Sequence, residues 1–114
     1  MALQLARRAT RADHSKEPTT VSTIYHITTA AAWETAQAAG AYRADSLARE
    51  GFIHLSTGAQ LLRTASRFYA GQAGLLLLAV DEGRLAAELR YEEGEPGELF
   101  PHLYGPLNLD AVVG

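Results

Sequence analysis

Three histidines, His26, His54 and His102, each lie in a β-forming run beside hydroxyl or aromatic side chains. The runs are Thr23-Ile24-Tyr25-His26-Ile27, Phe52-Ile53-His54-Leu55-Ser56 and Leu99-Phe100-Pro101-His102-Leu103-Tyr104. An imidazole titrates near neutral pH, so such a set can move protons, exchange hydrogen bonds or ligate a metal. Period-two geometry puts His26 on the face of Ile24 and Thr28, and His54 on the face of Phe52 and Ser56. One strand histidine is ordinarily a packed core residue; three of them beside hydroxyls point to a shared cleft.

Thr57 to Gln60 reads as a capping box, so a helix opens where the His54 strand ends and Ser56 and Thr57 collect at its N-terminus. Such termini favour anions, which makes Ser56 and Thr57 candidate ligand contacts. Phe100-Pro101-His102-Leu103-Tyr104-Gly105-Pro106-Leu107 is the other distinctive stretch. Its prolines restrict φ, and it can hold His102 and Tyr104 rigidly against a ligand. A three-histidine metal site is conceivable, but the spacings are long and no two histidines share a helix. Ser56 lacks the Gly-x-Ser-x-Gly elbow of a hydrolase nucleophile. Of the acidic run Glu92, Glu93, Glu95 and Glu98, the expectation is a solvated face.

The elements that must position these residues follow from pattern. Thr23–Ile27 is a first strand, and Ala30–Ala39 a helix capped by Thr28 or Thr29 and closed by Gly40. Tyr42–Arg49 is irregular with one helical turn, and Phe52–Ser56 is a central strand. Ala59–Ala70 carries helical spacing of Leu61, Leu62, Ala65, Phe68 and Tyr69. The apolar run Leu75–Val80 predicts a mid-sheet strand. Glu88–Glu92 alternates as a strand, Glu92–Gly97 is an acidic loop, and Leu99–Tyr104 with Pro101 fits an edge or a bulge. Ala111–Val113 is a short last strand. The sum is an α+β domain over residues 22–114 with two main helices, after a flexible extension over 1–21. Met1–Ala12, with Arg7, Arg8 and Arg11, has an amphipathic pattern resembling an organelle presequence, but the simpler reading is a poorly ordered tail.

Bulk properties narrow the classes. With 114 residues, 47% hydrophobic and 20% charged, the chain is one ordinary globular domain. A net charge of -3 argues against general affinity for nucleic-acid backbone. The absence of cysteine excludes disulfides, thiolate metal sites and a cysteine nucleophile. The apolar run is far too short to span a bilayer, and a cytoplasmic location is the expectation.

The strings Gly51-Phe52-Ile53-His54-Leu55-Ser56-Thr57 and Phe100-Pro101-His102-Leu103-Tyr104-Gly105-Pro106-Leu107 resemble those of the DUF952 family, and the likeness runs over about residues 23 to 113. That resemblance implies a small ADP-ribosyltransferase-like fold, similar to NAD-dependent RNA 2′-phosphotransferases. By this analogy His26 would hydrogen-bond a ribose of NAD, and Thr28 with the strand backbone would hold the nicotinamide. Ser56 and Thr57 would stand where related transferases carry a Ser-Thr-Ser element. The resulting expectation is a His-lined cleft for an NAD-like or nucleotide-like ligand. His54 and His102 are its acid/base residues, His26, Thr28, Ser56, Thr57 and Tyr104 its ligand contacts, and NAD its cofactor. The rivals are a non-catalytic binding module and a metal-dependent hydrolase.

Overall fold

Strand-forming side chains at both ends of the domain fold into two sheets that share one stretch of chain. The computed structural model describes residues 3–5 and 23–114. The expected flexible extension over 1–21 lies outside the described residues except at β1 (Leu3–Leu5), which pairs in parallel with Leu75–Leu77. The following elements are β2 (Thr23–Thr29), α1 (Ala30–Ala39), β3 (Ala41–Tyr42), α2 (Asp45–Glu50), β4 (Ile53–His54), β5 (Ser56–Thr57) and α3 (Gly58–Tyr69). β6 (Leu75–Asp81), β7 (Glu88–Glu95), β8 (Glu98–Tyr104) and β9 (Leu107–Asn108) complete the domain, with 3₁₀ turns at Glu82–Arg84 and Leu109–Ala111. One sheet has the order β1-β6-β2-β5 and a second β4-β8-β7, while β3 and β9 form a small ladder. The α+β expectation with two main helices holds.

β6 is central because its side chains are needed on both faces. Leu78 and Val80 join Ile24, Trp33, Ile53, Leu103 and Leu107 in the main core. Leu75 and Leu77 point the other way, to Ile27, Ala65, Leu61 and Tyr69 beneath α3. A continuous apolar run is what a strand covered on both sides requires. Among the described residues no helix is long and apolar enough to cross a membrane.

The expected central strand Phe52–Ser56 is two strands that belong to different sheets. Ile53 and His54 pair with Leu103 and His102 of β8, whereas Ser56 and Thr57 pair with Tyr25 and Ile24 of β2. Between them the Leu55 amide donates to the Pro101 carbonyl at 3.0 Å. β8 is the middle strand of its sheet, yet it carries Pro101. The N and C=O of one strand residue face the same side, so the donor that Pro101 lacks falls where β4 has ended. There β8 is locally an edge, the setting in which proline is tolerated.

Three further expectations are corrected. The acidic run is not a loop: Glu88–Glu95 is all strand, with a register shift between Glu93 and Glu95 at Gly94. A Cβ on Gly94 would meet the Phe100 ring at 2.7 Å, so the bulge needs a glycine. The helical turn expected within residues 42–49 is the longer helix α2, which runs on to Glu50. Ala111–Val113 makes only a bridge, Val112 to Val80, because the turn at Leu109–Ala111 takes its start.

Leu78 is fully buried while Leu62 is 77% exposed. Leu78→Ala is expected to cost ~2–5 kcal/mol and Leu62→Ala to stay within about 0.5 kcal/mol, compared by urea denaturation.

Candidate functional site

Because β5 pairs only with Ile24 and Tyr25, β2 runs on to Thr29 with no strand partner on that side. A cleft of about 790 Å³ lies along this edge, lined by residues of β2, α2, β5, α3 and β7. His26, His54 and His102 all line it. Thus residues distant in sequence meet at one hollow.

His26 is buried and both of its ring nitrogens are engaged. Nδ1 lies 2.7 Å from the His54 carbonyl and Nε2 lies 2.8 Å from the Tyr42 hydroxyl. A carbonyl can only accept, so Nδ1 carries the proton and donates. Burial lowers the pKa of His26 to about 4, against the raising effect of that same bond. At neutral pH Nε2 is therefore a bare acceptor for the Tyr42 O–H. The Thr28 hydroxyl lies 2.9 Å from that of Tyr42, and this proton balance makes Thr28 the donor. The expected ribose contact from His26 requires one of these bonds to be exchanged.

His54 and His102 differ sharply, although they are cross-strand partners with ring centroids 5.3 Å apart. The His54 side chain is 52% exposed, and its Nε2 lies 3.0 Å from Glu50 Oε1, one helical turn earlier. The His102 ring is buried, stacked under Phe52 with centroids 4.1 Å apart. Its Nδ1 donates to Glu92 Oε1 at 2.9 Å, and the Tyr104 hydroxyl donates to the same oxygen at 2.6 Å. These bonds, Tyr104 first and His102 second, hold the Glu92 carboxyl below its ordinary pKa, and the shared bond holds the Tyr104 hydroxyl above its own. His102 Nε2 is buried with no hydrogen-bond partner.

The other expected contacts divide. Thr28 and Ser56 line the cleft, but the Ser56 hydroxyl donates to Thr64 Oγ1 at 3.2 Å. Thr57 caps α3 as its spacing predicts: its hydroxyl accepts from the Gln60 amide, and Gln60 Oε1 accepts from the Thr57 amide. Neither Thr57 nor Tyr104 is part of the cleft lining, and Tyr104 stands behind His102 with Arg90 over its ring at 4.4 Å. Arg43 precedes α2 and Arg49 lies in its last turn; both line the cleft and have no ion-pair partner among the described residues. No three His, Asp or Glu side chains among the described residues are grouped to hold a metal ion.

Two residues of the cluster escape a reading by pattern. Tyr42 follows a helix-closing glycine and carries no motif. Glu92 looks like one carboxylate of a solvated face until β7 and β8 are paired: Arg90 then stands opposite His102, and Glu92 is its diagonal neighbour.

A family described as a protein of unknown function, DUF952, matches residues 27–114. The chain belongs to the DUF952 family. The crystal structure of protein CC0527 from Caulobacter crescentus is 41% identical over 81% of this chain and 82% of that one, with a TM-score of 0.75. The solution NMR structure of CC0527 is 41% identical over 81% and 80%, with a TM-score of 0.70. No curated protein matches the chain. The DUF952 match takes in His54, Glu92 and His102 and begins one residue after His26.

Because folding lowers the His26 pKa from 6.5 to about 4, the unfolded chain binds the extra proton between those values. The contribution is fully present above pH 6.5 and is lost as pH falls toward 4, by roughly 3 kcal/mol in all. Unfolding of wild type and His26→Gln at pH 7 and pH 4.5 is expected to show a clearly shallower acid loss in the variant.

Proposed function

We propose that the cleft binds a nucleotide-like, NAD-like ligand, and that the domain is ADP-ribosyltransferase-like in architecture and in the class of its ligand. The observation that carries this reading is the mixed lining of the cleft. Arg43 and Arg49, without an ion-pair partner among the described residues, supply charge for phosphate, and the acidic Glu93 and Glu95 come from the opposite sheet. A dinucleotide is mixed in the same way: anionic at its phosphates, hydroxylated at its riboses, flat and apolar at its bases. Phe52 and Tyr25 offer rings for a base, and the unpartnered edge of β2 offers backbone donors and acceptors for a carboxamide. A volume of about 790 Å³ falls within the roughly 300–1,000 Å³ typical of small-ligand sites.

If the site is catalytic, the reaction is transfer of a glycosyl group from NAD with release of nicotinamide. His54 and His102 are the proton-handling groups. Within the run from Glu93 to Glu98, Glu93 is the carboxylate left to stabilise positive charge at the ribose, since Glu95 is paired with Arg67 and Glu98 with Arg63. The second reading is a non-catalytic binding module. It draws support from His26, whose two nitrogens are both engaged inside the protein.

NAD at a hundredfold excess over its Kd is expected to stabilise the protein by ~2.7 kcal/mol, seen as a rise in melting temperature. Arg43→Ala with Arg49→Ala should abolish most of that rise. Release of nicotinamide separates the transferase from the binding module. No stabilisation by NAD, ADP-ribose or a mononucleotide would sink the nucleotide reading.

A further inference from the structure

His102 is placed as a functional imidazole is placed, and not as a core residue is. A histidine retained only for packing has its ring nitrogens satisfied, as those of His26 are. His102 has one nitrogen on a carboxylate and the other buried with no partner. An unpaired buried nitrogen destabilises the fold, and stacking on Phe52 does not require it, because a phenyl ring would stack equally well. The bond to Glu92 also decides which nitrogen is free. With Nδ1 donating to the carboxylate, the neutral ring carries its lone pair at Nε2.

One neighbour of this ring is able to move. His54 packs edge-on against the His102 ring, yet its side chain is 52% exposed and is held by Glu50, itself 43% exposed. Turning His54 toward solvent gives up its bond to Glu50 and its ring contacts with Phe52 and His102, none of which belongs to the hydrophobic core. Phe52 packs against both rings and lines the cleft.

We infer that Glu92 is a positioning residue that keeps His102 Nε2 as a free acceptor. When His54 turns aside, that atom accepts a hydrogen bond from a hydroxyl group of the ligand. This rests on the reading of the cleft as a nucleotide site and adds to it the group recognised, a sugar hydroxyl. Glu92 fixes the ring, His102 makes the contact, and His54 covers the contact while the cleft is empty.

The access step is tested without any ligand by carbethoxylation with diethyl pyrocarbonate at pH 7, read peptide by peptide. Wild type is expected to be modified rapidly at His54 and slowly at His102. In His54→Ala the His102 rate should rise at least tenfold; if it stays at the wild-type level, Nε2 is sealed in the core and the inference falls. Long-range ¹H–¹⁵N NMR should show the Nδ1–H form of His102 in wild type and a shift toward Nε2–H in Glu92→Gln. An unchanged proton position would remove Glu92 from its role. The ligand arm compares NAD stabilisation of wild type and of His102→Phe, which keeps the stacked ring. A tenfold weaker apparent affinity in the variant supports the contact, and equal affinity overturns it while leaving the nucleotide reading in place. No response to NAD, ADP-ribose or a mononucleotide in either protein sinks that reading and, with it, the hydroxyl contact.

Discussion

The single hydrogen bond from the Leu55 amide to the Pro101 carbonyl marks the constraint on which the site depends. At this point the chain leaves one sheet and enters the other, after two residues in the first and for two residues in the second. Each half is too short to close its sheet. β2 keeps an open edge beyond Tyr25, and β8 loses its partner beyond His102. The hollow between the sheets is the direct result. Pro101 reinforces it, since a strand continuing past Leu55 would find no N–H there to pair with. The proline thus acts against a continuous β4–β5 strand and keeps the two sheets apart.

Three histidines around one hollow would be a poor arrangement if all were alike. Three imidazoles on one dry surface would leave several polar atoms unpaired. The fold instead gives each a different environment. His26 lies deepest, neutral and locked between a main-chain carbonyl and Tyr42, so that it ties β2 to both β4 and β3. His54 lies half exposed at the surface, its Nε2 held by Glu50. His102 combines the two, buried like the first yet with one nitrogen open like the second. Only the first is a structural tie by every bond it makes.

Legibility in the sequence divides along the same line. Local chemistry was readable: Thr57 and Gln60 close the capping box, Thr29 (one of two candidate caps) and Gly40 bound α1, and the run from Leu75 to Val80 lies mid-sheet. That three histidines share a hollow was readable from their settings on strands. What could not be read is what depends on pairing between strands far apart in sequence. Phe52–Ser56 has the composition of one strand, and nothing local says that Leu55 turns toward Pro101. The carboxylates from Glu88 to Glu98 look solvated because alternation alone does not tell which partner each one faces. Once β7 lies against β8, the bulge at Gly94 brings Glu93 and Glu95 to the cleft, and Glu92 to His102.

Thr57 shows why a recognisable local motif is a weak guide to a site. Its hydroxyl and amide are both committed to Gln60, and the Gln60 side chain is committed in turn to the Leu99 carbonyl and to Glu98. These bonds fasten α3 to β8 across the junction of the two sheets. Groups satisfied so completely hold a structure together but have little left to offer a ligand. Among the described residues, groups with capacity left over include several that no single motif announces: the edge of β2, the guanidinium groups of Arg43 and Arg49, and one nitrogen of His102. They meet at the cleft because the chain crosses between sheets at Leu55, so binding capacity here follows from topology and not from any one stretch of sequence.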